Sequence, residues 1–397
     1  MPLTNVRIAP GFNKADTPSG AEGQWIDGDF VRFRYGQPEK IGGFTAIGQE
    51  TISAPTRAQH TWTDLEGNRY AALGTSKALY IYYEDKFYDV TPLATALTGA
   101  TFTSTQNQNI VTVNKTSHAL DVGEYITFTS VTLPGGGATS FTVANFQDFT
   151  FEVLTAPNAN TFTIQMKSNE TGTGMSSAGS ASVNPYEEIG PTIQTYGYGW
   201  GTGTWSRGTW GSGTTSSTVI LDPGSWSLDN FGQQLIATVK DGKTFVWNPG
   251  VSNPLEQRAV IMSGAPTASR LTITSDRDRH VVHFGTETTI GDSTTQDPMF
   301  IRFSDQENFS VYQPTSINTA GTFRLDTGNK IVAAVSGKDY NLILTDQAAY
   351  TMQFVGPPFT FSIRQVGSNC GCIGQHATVY ADGKVFWMGA GGGFFVF

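Results

Sequence analysis

Apolar and polar positions alternate along much of this chain, and few segments show the period of a helix. The stretch RYAALGTSKALYIYYEDKFYDVTPL (residues 69–93) sets the pattern: one apolar run ends at Leu73, small and polar residues follow, and a second run starts at Leu79. Four other stretches repeat the layout, with the two bounding apolar residues again six positions apart: Val239 and Phe245, Phe284 and Ile290, Leu344 and Tyr350, Met388 and Phe394. Side chains of a strand point alternately to its two faces, and small or polar residues between two such runs make a hairpin connection. Each stretch therefore predicts a β-hairpin. A third strand is expected after the hairpin (KFYDVTP, ENFSVYQP, FTFSIRQVG) and a fourth before it (RAQHTWTD, NKIVAAVSG).

The hairpins recur at intervals of 45, 60 and 44 residues from Val239 through Phe284 and Leu344 to Met388. Four antiparallel strands at such a period are the mark of a β-propeller blade, and stacking neighbours covers the two faces that a lone sheet would expose. The interval from Leu73 to Val239 is 166 residues, which implies an insertion. The expected fold is thus all-β: a β-propeller of four-stranded antiparallel blades with an inserted small β-barrel or sandwich module. The boundaries read as an extended arm over 1–22, propeller over 23–97 and 218–397, the inserted domain over 98–186, and a Gly/Trp-rich loop over 187–217. The ending GGGFFVF predicts an incomplete last blade in a propeller of five or more. The missing strands come either from WIDGDFVRFRYG near the start or from further chain; the other blades continue past this point, which favours the latter.

Composition agrees with an all-β reading. Only 14% of residues are charged, against roughly 25% in ordinary soluble proteins, while 38% are apolar and 12% aromatic. The net charge of −9 argues against a protein that binds nucleic acid by neutralising phosphates, though it also serves plain solubility. The opening MPLTNVRIAPGF lacks a signal-peptide pattern, and no run approaches the ~20 apolar residues of a membrane span. Cys370 and Cys372 form CGC; a bridge across one residue is strained and two thiols make no zinc site, so reduced thiols in a protein made in the cytosol are expected.

Catalytic patterns are sparse. His280 and His283 in RHVVH stand three apart, on opposite faces of a strand, and cannot share an ion. His60, His118 and His376 are isolated, and no G-x-S-x-G, P-loop or H-E-x-x-H occurs. SDRDRH (275–280) interleaves two carboxylates with two arginines, as in a self-neutralising loop, and VKDGKTFVW lacks the Ser of a sialidase Asp-box. No catalytic residue, cofactor or metal is expected. In TYGYGWGTGTWSRGTWGSGTTSS three tryptophans recur at intervals of five, which is neither helical nor strand-like. Such a loop is either self-packed or an assembly contact; the candidate contact residues are Tyr198, Trp200, Trp205, Arg207 and Trp210.

DFVRFRYGQPEKIGGF (29–44), the hairpin units and GCIGQHATVYADGKVFWMGAGGGFFVF (371–397) together resemble the tail nozzle proteins of short-tailed double-stranded DNA phages. These are called tail tubular protein B or packaged-DNA stabilisation protein. Phe33, Arg34, Gly36, Lys40, Gly42 and Gly43 match the family's opening, and Gly371 to Met388 its closing run. The inserted segment resembles a small β-domain that recurs in phage structural proteins. The resemblance implies a hexameric ring in the virion tail, made in the host cytoplasm. The ring would join a tail adaptor protein and a tail fibre or needle protein, and extend the DNA channel. It would retain and then release the packaged double-stranded DNA without reading its sequence, with no membrane in the mature particle. A charge-poor wall suits sliding DNA, and rings need heterologous contacts that close. The alternative is a glycan-binding or glycan-cleaving propeller, a lectin or depolymerase at the host surface. Carboxylates or arginines converging from different blades on one central pocket would mark it.

Overall fold

The computed structural model describes residues 8–43, 45, 52–191, 222–356 and 359–397. The chain divides into two compact units, Met1–Gln49 and Glu50–Phe397.

In the second unit five antiparallel sheets follow one another along the chain. Blade 1 comprises Thr56–Thr63, Arg69–Thr75, Leu79–Tyr83 and Lys86–Asp89; blade 2 comprises Trp226–Phe231, Gln234–Val239, Thr244–Trp247 and Val260–Ile261. Blade 3 comprises Leu271–Ser275, His280–Phe284, Phe300–Phe303 and Gly321–Arg324. Blade 4 comprises Ile331–Ser336, Asn341–Thr345, Ala348–Gly356 and Thr360–Ser368. Blade 5 has three strands, Thr378–Ala381, Lys384–Met388 and Phe394–Val396. The first strands pack side by side in chain order from blade 1 to blade 5, so they are the innermost ones. This is a β-propeller.

The core lies between blades, where one apolar face meets the next. Trp62, Tyr70, Leu79 and Ile81 of blade 1 bury against Trp226, Leu235, Phe245 and Trp247 of blade 2. Gly74 makes the close approach possible, since a Cβ there would sit 2.5 Å from the Trp226 ring. The Trp226 indole N–H donates to the carbonyl of Thr75 at 2.9 Å, so the ring is buried without an orphaned donor. Blades 3 and 4 join through Ile273, Phe284 and Phe303 against Ile343, Met352 and Phe361. Blades 4 and 5 join through Leu342, Leu344, Cys370, Cys372, Val385 and Trp387. Both cysteines are free thiols.

Four of the five predicted hairpins form as read. The one at Phe284 and Ile290 does not: residues 285–299 are a long connection, and the next strand is Phe300–Phe303. The buried Glu287 holds this loop, accepting from the backbone N–H of Thr267 at 3.0 Å and of Gly291 at 2.7 Å, and from the Thr267 hydroxyl. ENFSVYQP is not a strand either, and Gly321–Arg324 takes the outer place in blade 3. Within that segment Tyr312 turns inward and shares a hydrogen bond with His283 Nε2 at 3.1 Å. A buried partner for the phenol prevailed over strand alternation.

The inserted body carries one seven-stranded sheet spanning Leu97–Pro185, with its first strand, Leu97–Ser104, at the centre. The expectation of a barrel or sandwich thus resolves to a single sheet over an aromatic core of Phe102, Phe128, Phe146, Phe151 and Phe162. Phe146 comes from the short helix Val143–Gln147. Glu170, fully buried, receives the hydroxyls of Ser104, Thr139 and Ser140 and the backbone N–H groups of Ser140 and Gly172, at 2.6 to 3.0 Å. These donors hold its carboxyl down at about 2 despite burial.

A cluster at the root of the insertion ties it to the propeller. Arg258 of the blade 2 connection donates to both carboxylate oxygens of Asp89 on blade 1 and lies over the ring of Tyr186, 4.8 Å from its centroid. The Tyr186 hydroxyl in turn donates to Asp89. Lys77–Glu152 at 3.0 Å and Lys243–Glu187 at 2.7 Å flank it.

The first unit is small. Ala9–Phe12 pairs in parallel with Gln24–Trp25, so part of the expected extended arm is paired. Val31–Arg34 and Gln37–Lys40 form a hairpin whose two-residue turn, Tyr35 and Gly36, has φ of 51° and 77°. Positive φ at both turn positions is what a tight hairpin demands. Phe33 packs edge-on against Phe12 at 5.3 Å. Among the described residues no helix is long and apolar enough to cross a membrane.

Candidate functional site

The first strands of the five blades surround an axial pocket of about 390 Å³. Blade 1 contributes His60, blade 2 Asp229, and blade 3 Asp276 just past its first strand; Gln375, His376 and Thr378 come from the start of blade 5. None of the lining residues is Lys or Arg.

Asp229 is held rigidly. Its Oδ2 accepts from the backbone N–H of Thr274 at 2.7 Å and its Oδ1 from that of Asn230 at 2.9 Å. His60 Nε2 lies 3.9 Å from Oδ1 and bonds Asn230 Oδ1 at 2.8 Å. The Asn230 amide N–H donates to the carbonyl of Gly232 at 2.8 Å, which fixes its orientation and makes His60 Nε2 the donor. Burial pushes the Asp229 carboxyl up to about 6, against the pull of its backbone donors and His60, and Asp276 pushes it further. Burial also raises Asp276, opposed by Arg279 and His60. Burial lowers His376. The pocket can therefore carry one or two negative charges around neutral pH, with an imidazole beside them.

The other residues singled out in the sequence lie elsewhere. Tyr198, Trp200, Trp205, Arg207 and Trp210 fall outside the described residues. His280 bonds the carbonyl of Ser304 at 2.7 Å and packs on Phe303, Phe354 and Phe361. His283 is sealed among Ser269, Thr272 and Tyr312, and burial drives its basicity down to about 3. The two face different neighbours, and among the described residues no group of three or more His, Cys, Asp or Glu could hold a metal. In SDRDRH, Arg277 pairs with Asp339 at 3.1 Å, Arg279 with Glu307 at 3.1 Å, and Asp278 accepts from the Ser275 hydroxyl at 3.0 Å. Asp276 alone of that loop lines the axis. Asp241 of the Asp-box-like turn pairs with Arg270 at 3.5 Å. His118 is structural, bonding the carbonyl of Asn158 at 2.9 Å. Sequence reasoning missed Asp229 and took His60 as isolated; an Asp-Asn pair late in an innermost strand (SLDNFG) was the available signal.

No family model matches the chain, and no curated protein matches it. Among solved structures it is similar to a phage phi92 endosialidase, with 12% identity and a TM-score of 0.28, covering 84% of this chain. The chain spans 54% of that structure's length. It is also similar to Kluyveromyces lactis Hsv2, with 10% identity and a TM-score of 0.21, covering 77% of this chain and 96% of the other.

Proposed function

We propose that this chain is a structural subunit of a phage tail, one of a closed ring that forms the nozzle through which the genome passes. The observation that carries the reading is the polar joint between two β bodies. The Arg258–Asp89–Tyr186 cluster ties the chain at the end of the inserted sheet to blades 1 and 2, as a subunit that packs repeatedly in a ring requires. The resemblance of the opening and closing motifs to nozzle proteins supports it. An axial pocket of about 390 Å³ has the dimensions of a small-ligand site and is far too small for a DNA duplex. The DNA channel in this reading lies between copies rather than along the axis of one propeller. In this reading the ring is a hexamer that meets an adaptor ring above and a fibre or needle below.

Quantitative peptide mass spectrometry of purified particles tests the proposal. It predicts about one copy of this chain for every two portal subunits, as a six-membered ring on a twelve-membered portal requires. Absence from the particles would remove the nozzle reading.

One observation favours a second reading. Asp229 and Asp276 reach the axial pocket from different blades, as in a glycan-active propeller. Loss of a glycan-cleaving activity in an Asp276→Asn variant that still enters particles would favour it; unchanged incorporation with no activity in either protein would dismiss it.

A further inference from the structure

We propose that Asp222 is an electrostatic clamp: its ion pairs to three blades hold shut the neck formed where the chain leaves the propeller at Pro191 and returns at Asp222, and ionic strength sets how often that neck opens. Both sides of the neck are described. Glu187 to Pro191 follow the last strand of the inserted sheet, and Asp222 to Ser225 lead into the first strand of blade 2. The two stretches touch. The Gly224 N–H donates to the carbonyl of Pro191 at 2.8 Å, and a Cβ on Gly224 would collide with the Ile189 carbonyl oxygen, so glycine permits the approach. Residues 192–221 therefore start and end at one point of the propeller. Trp200, Trp205 and Trp210 belong to that excursion, so the clamp fixes the place from which they depart.

One backbone hydrogen bond, net of the water it replaces, holds such a neck only weakly. Charges add the rest. Asp222 Oδ2 lies 3.1 Å from Lys240 Nζ, 3.3 Å from Arg270 Nη2 and 3.9 Å from Lys330 Nζ. These cations come from the hairpin after the second strand of blade 2, the entry to blade 3 and the entry to blade 4. The side chains of Lys240 and Arg270 are only 16% and 15% exposed, so their pairs resist screening better than surface pairs do; Lys330 is more exposed and adds least. Arg270 also reaches Asp241 at 3.5 Å. The backbone N–H of Lys240 donates to the carbonyl of Ser225 at 2.9 Å, and Lys243 of the same hairpin pairs with Glu187 at 2.7 Å on the outgoing side. One hairpin of blade 2 thus grips both sides of the neck, while Asp222 ties the returning side to blades 3 and 4 as well. The inference stands apart from the nozzle reading, since it requires no ring.

Amide hydrogen exchange of the whole chain, read by mass spectrometry on peptides covering Gly224 and Lys240, tests it. In the native chain exchange there should quicken about fivefold or more between about 0.01 M and about 1 M sodium chloride, as the screening length falls from about 30 Å to about 3 Å. Asp222→Asn should show the faster exchange already at low salt and lose most of the salt dependence. Glu152→Gln, which breaks the Lys77 pair at the root of the inserted body, should leave both peptides unchanged. Peptides from Asn341–Thr345 of blade 4 report global unfolding and should stay protected throughout. If Asp222→Asn lowers their protection too, the salt series on the native chain decides alone. Salt-independent exchange at the neck of the native chain, full salt dependence in a folded Asp222→Asn variant, or an equal rise from Glu152→Gln would each overturn the proposal.

Discussion

Glu170 is a fully buried carboxylate and Asp229 a half-buried one, and their surroundings drive them in opposite directions. Five donors converge on Glu170 and keep it charged to about 2. Its stabilising contribution is complete above its ordinary value of 4.5 and is lost as pH falls through about 2. That shift corresponds to about 3 kcal/mol. Glu170→Gln should cost the inserted body about 2–4 kcal/mol in denaturant unfolding near neutral pH, because one buried N–H or hydroxyl loses its acceptor. Asp229 behaves inversely. Its folded value of about 6 exceeds the ordinary 3.8, so the protonated form is favoured in the native state. Its stabilising contribution is complete below 3.8 and is lost as pH rises through about 6. His60, Asp276 and Arg279 are the charged or chargeable groups around the pair. Urea midpoints should therefore rise from pH 7.5 towards pH 5 more in the native chain than in Asp229→Ala. The cysteines give a third residue-level expectation. Burial raises both thiols, so Ellman's reagent should modify them slowly in the native protein and rapidly after unfolding.

At the scale of elements, Gly74 and Arg258 mark the two joints that set the architecture. Gly74→Ala would force a methyl group against the Trp226 ring between blades 1 and 2, where a Cβ sits 2.5 Å from it. A loss of about 2 kcal/mol or more in thermal or urea unfolding is expected, since an overpacked blade interface cannot relax without moving a strand. Arg258→Ala leaves Asp89 without its cation beneath Tyr186 and should cost about 2–3 kcal/mol, discounted for partial exposure. Limited proteolysis should then cut the connections of the inserted body faster. Hairpins were legible in the sequence because two strands need only a short loop, and Leu73–Leu79 and Leu344–Tyr350 show the spacing plainly. The pair Phe284 and Ile290 imitated it by chance of composition. There the loop is anchored by Glu287, and no periodicity announces a carboxylate that bonds backbone. ENFSVYQP failed for a related reason: Tyr312 is placed by His283, a partner contributed by another strand.

For the whole molecule, the propeller was readable from the repeat of hairpins, while its axial site was not. Asp229 and Asp276 are 47 residues apart, and only the stacking of blades 2 and 3 brings them to one cavity. SDRDRH is self-neutralising only in part: Arg277 lies 3.9 Å from Asp278 within the loop, but it also reaches Asp339, Arg279 pairs with Glu307, and Asp276 lines the axial pocket. Composition counts charges, whereas the fold decides which of them meet. The size of that cavity also sharpens the functional reading, because it moves any passage for DNA from within one propeller to between several. Electron cryomicroscopy of the tail in particles from the source tests this most directly. The account predicts a ring of copies whose central channel is walled by outer surfaces, with every propeller axis displaced from the channel. A tail without this chain, or DNA density threading a propeller axis, would contradict it.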